Sequence, residues 1–214
     1  MRKIFKQSPA PVTLGLVLLN LAIWVLQIVP GSSLTNQLAF VPLAVYTEPW
    51  RMITAGFAHS ESNPLHVLLN MYSLYVFGTL LEPMLGRLRF LAIWLISIFG
   101  GSVAVMFLNT PDTWVIGASS GVFGLMAAYF VVLRAIGQSS QGMMGLIAIN
   151  LVFGFLMPGV SWQAHLGGLF AGGALTAVYA QTRNKKSAQL VGAILVFLVF
   201  VGLTAYRMQT MLLG

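Results

Sequence analysis

Residues 115–124 read VIGASSGVFG. Two adjacent hydroxyls stand among three glycines, inside a chain that is otherwise mostly apolar. On a helix, Gly117 and Gly121 lie one turn apart. That small-xxx-small spacing lets a neighbouring helix approach closely, and Gly124 extends the small surface. A second stretch, AHLGGLFAGG at 164–173, has the same character. Gly168 and Gly172 follow His165 by three and seven residues and share its helix face. Two helices with such bare faces can pack tightly enough for Ser119 or Ser120 to reach His165. A hydroxyl beside an imidazole is a nucleophile–base arrangement. The bland alternative makes the glycines packing surfaces, with serines that back-bond to carbonyls of their own helix.

The surroundings of these stretches decide the fold class. Of 214 residues, 58% are hydrophobic and 7% are charged, whereas soluble domains carry about 25% charged residues. Such a chain is an integral, multi-pass membrane protein of all-α class, in one domain spanning 1–214. Spans of about 20 apolar residues are predicted at Pro11–Val29, Leu65–Leu81, Leu88–Leu108, Ser119–Leu133, Met143–Met157, Ala164–Ala180 and Leu190–Tyr206. The fourth and fifth are short. The segment before the first span resembles a signal peptide, but the apolar run is long and no A-x-A site follows, so it reads as an uncleaved first helix.

The net charge of +7 invites a nucleic-acid reading, but the basic residues stand between apolar runs and suit membrane orientation instead, so no nucleic-acid partner is expected. With the N-terminus cytoplasmic, Arg2, Lys3, Lys6, Arg87, Arg89, Arg134, Arg183, Lys185 and Lys186 fall inside. Only Arg51 and Arg207 fall outside, as the positive-inside rule requires. The C-terminus then lies outside. The long first loop contains EPWRMITAGFAHS, amphipathic, with Trp50 suited to headgroup depth. No cysteine is present, which excludes disulfides and a thiol nucleophile.

Polar residues inside a membrane mark functional sites by default. Besides the two glycine-rich stretches there is HVLLN, 66–70, which sets His66 and Asn70 on one face. All three islands begin spans two, four and six at their outer ends, so they share a depth. A third triad member is hard to find among the only acids, Glu48, Glu61, Glu82 and Asp112. The chemistry would therefore run on a Ser–His dyad, with His66 and Asn70 as donors to an oxyanion. A three-histidine metal set of His59, His66 and His165 is the competing chemistry. It lacks an HExxH motif and a placed carboxylate base, so no metal or other cofactor is expected.

These residues, taken together, resemble the rhomboid family of intramembrane serine proteases. The matching pieces are WR at 50–51, HxxxN at 66–70, Gly78, Glu82 and Gly86 as GxxxExxxG, the serine motif at 117–120, and AHxxGxxxG at 164–172. The resemblance implies a bundle of six core transmembrane helices, about 8–182, with one extra C-terminal helix at about 188–207. It implies a cavity open to the outer face, a serine nucleophile and His165 as base. His66 and Asn70 would stabilise the oxyanion, Gly168 and Gly172 would make close contacts, and Glu82 would be structural. An aromatic residue four positions after the nucleophile packs beside the catalytic histidine in this family. Read from Ser119, Gly117 leads at the right distance and Phe123 fills that position. Read from Ser120, Ala118 and Gly124 stand there instead. Ser119 is therefore the expected nucleophile, and the Ser120 backbone N–H a member of the oxyanion hole.

The resemblance further implies substrates that are single-span membrane proteins with their N-terminus outside, cut in or beside the span where the helix is unwound. The surrounding lipid is the other expected partner, and a prokaryotic cytoplasmic membrane the expected location. The short fifth span and the loop MPGVSWQ, 157–163, would allow movement to admit substrate. The alternative is an inactive rhomboid-like scaffold or chaperone that binds transmembrane helices, but such a protein typically lacks the serine or the histidine. A transporter or channel would show repeated halves, which this sequence does not.

Overall fold

The computed structural model describes residues 10–213; the basic residues at 2, 3 and 6 lie outside that range. Among the described residues there is no β-strand, only an isolated antiparallel bridge between Phe40 and Val115. Seven helices form the bundle, near the predicted spans: α1 (Pro11–Gln27), then after the first loop α4 (Pro64–Leu85), α5 (Arg87–Leu108), α6 (Ser119–Ala135), α7 (Gln141–Leu156), α8 (Trp162–Gln181) and α9 (Lys186–Leu213). The first loop carries two short helices, α2 (Leu34–Leu38) and α3 (Arg51–Thr54), and two 3-10 turns, Pro42–Tyr46 and Ala55–Phe57. Three helices, α4, α5 and α9, are long and apolar enough to cross a membrane by length and composition, while α1, α6 and α7 are shorter apolar helices.

Local chemistry sets the helix ends. Pro11 and Pro64 open α1 and α4, where a missing N–H costs nothing. The Asn63 side chain caps α4 by accepting from Leu65 N–H at 3.2 Å, and Ser161 caps α8 by accepting from Ala164 N–H at 3.3 Å. Gly86 turns the chain between α4 and α5 with φ +86°, a conformation that other residues adopt only with strain.

The first turn of α1 is capped from another helix. The buried Glu82 carboxylate accepts from Val12 N–H at 3.0 Å, Thr13 N–H at 2.8 Å and the Thr13 hydroxyl at 2.8 Å. Three donors and the positive helix end make this carboxylate tolerable at depth. Gly78 makes the room: a Cβ there would lie 2.4 Å from Thr13 Oγ1.

The centre of the bundle is α8, packed along α5 and α6. The interface is backbone on backbone. A Cβ at Gly168 would lie 2.0 Å from the Ser120 carbonyl oxygen, one at Gly172 2.5 Å from Gly124 Cα, and one at Gly167 2.2 Å from the Gly100 carbonyl oxygen. Lipid tails are as apolar as the helix faces, so association depends on such close packing rather than on a hydrophobic drive. Gly121 meets the opposite neighbour, α5, with Trp94 Cζ3 2.7 Å from where its Cβ would be.

At the bundle edge α7 buries only Met143 and Gly154. The last helix, α9, is longer than the predicted span because its end is engaged. The Tyr46 hydroxyl donates to the Met208 carbonyl at 2.6 Å. Arg207, expected as a loop charge, lies within α9, where it donates to the Met106 carbonyl at 2.7 Å and covers the Phe107 ring. It thus serves the exposed carbonyl end of α5. The helices alternate in direction, so α4, α6 and α8 all begin at one end of the bundle. Arg87, Arg89, Arg134, Arg183, Lys185 and Lys186 gather at the other.

Gly168→Ala should lower the melting temperature of the detergent-solubilised protein by an amount equivalent to about 1–3 kcal/mol, the usual range for overpacking, because the obstacle is a backbone carbonyl. Gly145→Ala, with open space around its Cβ position, should be neutral or slightly stabilising.

Candidate active site

The N-termini of α4, α6 and α8 supply His66, Ser119 and His165. The Gly168–Ser120 contact holds α6 and α8 together directly beside them. As a result His165 Nε2 and Ser119 Oγ lie 2.9 Å apart, within hydrogen-bonding distance. Phe123, one turn further along α6, stacks on the imidazole with ring centroids 4.2 Å apart and planes 13° from parallel. His165 Nδ1 is buried without a hydrogen-bond partner among the described residues. On that side α7 contributes Gly154, where a Cβ would lie 2.9 Å from Nδ1. Three of the four carboxylates are engaged elsewhere: Glu82 caps α1, Glu48 pairs with Arg51 at 2.8 Å, and Glu61 accepts from the Thr35 hydroxyl.

Ser120 does not share this environment. Its side chain turns into the helix interface, where a Cβ at Gly101 would lie 2.6 Å from Ser120 Cβ. Its backbone is placed differently. α6 begins at Ser119 with no side-chain cap, so the first N–H groups of the helix have no intrahelical acceptor. They form a helix N-terminus beside the Ser119 hydroxyl, suited to negative charge.

Gly117 separates Ser119 from His66. Its Cβ position is 2.8 Å from His66 Nε2 and 3.9 Å from Ser119 Oγ, so only glycine leaves that space open. Its φ of +122° also favours glycine, and its N–H donates to the Ala55 carbonyl at 2.9 Å. His66 Nδ1 accepts from Ser60 N–H at 3.1 Å, which leaves Nε2 as the protonated nitrogen facing this space. Asn70 is buried and donates one amide hydrogen to the His66 carbonyl at 2.8 Å, leaving the other unused.

The first loop braces the mouth. Arg51 donates to the carbonyls of Asn36 and, at 3.1 Å, Ala39. The Phe40–Val115 bridge ties that strip to the segment leading into α6. Trp50 stands exposed beside Arg51. His59 is fully buried, its ring 5.2 Å from that of His66. Burial, reinforced by the His66 ring, lowers its pKa to about 3, so it remains neutral at physiological pH. Among the described residues no three His, Cys, Asp or Glu side chains gather as a metal ion would need.

The residues singled out by sequence thus fall into four groups by place. Ser119, His165, His66, Gly117, Phe123 and the Ser120 backbone surround one point, and Asn70 stands one turn along α4 from His66. Gly121, Gly168 and Gly172 build the helix contacts behind it, Trp50 and Arg51 lie in the loop above, and Glu82 lies at the opposite end of the bundle. Gln27, the Ser60 backbone and Gly154 also border this region and were not singled out. Gln27 gave a signal, as a lone amide closing an apolar run; Gly154 and a backbone N–H gave none.

A family model described as the Rhomboid domain matches residues 46–182. RHOMBOID-like protein 6, mitochondrial, of Arabidopsis thaliana is 36% identical over 133 residues, covering 58% of this chain and 42% of that protein. Putative rhomboid protease YdcA of Bacillus subtilis (strain 168) is 33% identical over 144 residues, 65% of this chain and 71% of that protein. Rhomboid protease GluP of the same organism is 31% identical over 221 residues, 95% of this chain and 41% of that protein. The chain thus spans less than half the length of two of these three relatives.

An alkyl fluorophosphonate should label wild type and Ser120→Ala alike and leave Ser119→Ala unlabelled, as read by intact-protein mass. Gly117→Ala, whose methyl group would fill the space between His66 Nε2 and Ser119, should be labelled at least about a hundredfold more slowly, in line with the loss of one donor to a developing negative charge.

Proposed function

The chain belongs to the rhomboid family, and from that premise we propose that it is an active intramembrane serine endopeptidase working through a Ser119–His165 dyad. The observation that carries this reading is the 2.9 Å contact between Ser119 Oγ and His165 Nε2. It lies beside a helix N-terminus and an inward-facing His66 Nε2, at one end of a helical membrane bundle.

In the first step His165 Nε2 accepts the hydroxyl proton as Ser119 Oγ attacks the substrate carbonyl carbon. The carbonyl oxygen becomes an oxyanion, held by the backbone N–H groups opening α6, His66 Nε2–H and the unused amide hydrogen of Asn70. Each such donor contributes about 3–4 kcal/mol of transition-state stabilisation. The tetrahedral intermediate collapses with loss of the amine, which takes its proton from His165, and leaves an ester on Ser119. Water then attacks that ester, His165 accepting its proton, and the acid product departs as the hydroxyl is restored. In the familiar triad a carboxylate orients the imidazole; here stacking on Phe123 and the wall formed by Gly154 perform that task. A neutral support suits a base that never leaves the low-dielectric bundle, because a buried carboxylate would need donors of its own.

The substrate class follows from the same geometry. A helix hides its carbonyls in its own hydrogen bonds, so the scissile segment must be unwound to reach Ser119. We assign the class to single-span membrane proteins, entering with the N-terminus on the site's side. The basic cluster at the far end of the bundle orients the site outward by the positive-inside rule, with the N-terminus cytoplasmic and the C-terminus outside.

Cleavage of a model single-span substrate in liposomes should fall by at least about 1,000-fold in Ser119→Ala and in His165→Ala, while Ser120→Ala keeps most activity. Undiminished cleavage by either dyad variant would sink the reading, and inertness of wild type against a broad substrate panel would favour the scaffold. For orientation, an impermeant maleimide applied to right-side-out vesicles should label Ser62→Cys and spare Gln138→Cys, in a chain with no other cysteine.

A further inference from the structure

Gln27 is the last residue of α1, and its side chain is buried. Both ends of its amide are engaged. Nε2 donates to the His59 carbonyl at 2.9 Å and to Thr35 Oγ1 at 2.6 Å. Oε1 accepts from His59 N–H at 3.0 Å. One turn earlier Trp24 Nε1 donates to the Ser60 carbonyl at 3.0 Å. α1 therefore grips residues 59 and 60 through three peptide units in succession.

The middle unit matters most. The His59 carbonyl and the Ser60 N–H belong to one planar peptide. Its carbonyl points at Gln27, and its N–H donates to His66 Nδ1 at 3.1 Å. A backbone N–H can only donate, so Nδ1 must offer its lone pair and the neutral imidazole must carry its proton on Nε2. Nε2 is the atom that faces the space beside Gly117 and Ser119. Turned over, the same peptide would present a carbonyl to Nδ1 and draw the proton there, and Nε2 would then face the oxyanion with a lone pair. Because the unit is rigid, the two states differ as a whole. Turning it also breaks the Gln27 bond to the His59 carbonyl in a buried setting, where unmade hydrogen bonds are costly.

We propose that Gln27 is a positioning residue, acting through the 59–60 peptide plane to hold His66 as the Nε2–H tautomer that donates to the oxyanion. The proposal rests on the reading of His66 as an oxyanion donor. It assigns to α1, which precedes the matched segment 46–182, a role in the chemistry of a site built from α4, α6 and α8.

The test uses the full chain with 15N-labelled histidine in detergent micelles. The three histidines are assigned with His59→Gln and His165→Asn. In wild type, His66 should show an unprotonated Nδ1 and a protonated Nε2. Gln27→Glu keeps the shape of the side chain but turns its donor into an acceptor. It should move the His66 signals to the Nδ1–H form or to an average of the two. It should lower kcat about tenfold, less than loss of the donor itself, with KM unchanged. Trp24→Phe, which frees the Ser60 carbonyl while retaining Gln27, should act in the same direction more weakly and guards against misfolding of the first variant. The double variant Gln27→Glu, His66→Ala should be no slower than His66→Ala alone. An unmoved His66 tautomer, an unchanged kcat, or losses that multiply in the double variant would overturn the proposal. Persistent cleavage by Ser119→Ala would remove the dyad reading instead, while the tautomer measurement would still report on what Gln27 does to His66.

Discussion

The Ser120 carbonyl oxygen occupies the place where a side chain at position 168 would begin. That contact and the Gly124–Gly172 approach below it bring the backbones of α6 and α8 together. His165 lies less than a turn before Gly168, and Ser119 immediately before Ser120. Once the two backbones touch, the hydroxyl and imidazole have little freedom left. In water, burying large apolar side chains could have held these helices together at a greater distance. In lipid that driving force is absent, and contact must come from close backbone approach. The glycines that stabilise the bundle are therefore also those that bring Ser119 and His165 together.

Around this contact the polar groups separate to the two ends of the bundle. At one end, Glu82 satisfies the first turn of α1, and the basic residues gather. At the other, Arg51, the Phe40–Val115 bridge and the Gly117–Ala55 hydrogen bond tie the first loop to the start of α6. The mouth is thus built from backbone groups that a bilayer would otherwise leave unpaired. The N–H groups opening α6, beside Ser119, have no side-chain cap. Of the helices bordering the site, α7 is the least buried, although its Gly154 covers one face of His165.

Much of this was legible along the chain. The span count came from apolar length; the caps at Asn63 and Ser161 are local chemistry that apolar length alone does not single out. The pairing of glycine faces followed from helical spacing. The choice between Ser119 and Ser120 rested on Gly117 and Phe123, and the geometry gives each a physical part: one leaves space, the other stacks. Other features could not be read so. Arg207 looked like a loop charge because nothing local shows that the Met106 carbonyl is within its reach. Glu82 was expected to be structural, but its partners could not be named because they stand some seventy positions away at Val12 and Thr13.

The sequence by itself determined a helical membrane bundle, its span order and the residue types able to do serine chemistry, because hydropathy, capping and glycine spacing act over a few turns of one chain. Only the tertiary structure decided how closely Ser119 approaches His165, which nitrogen of His66 faces that hydroxyl, and that Gln27 stands behind the peptide bonded to the other nitrogen. Those outcomes depend on backbone groups with no sequence identity of their own, such as the Ser60 N–H and the Ser120 carbonyl. Their positions are defined only after distant helices have come into contact.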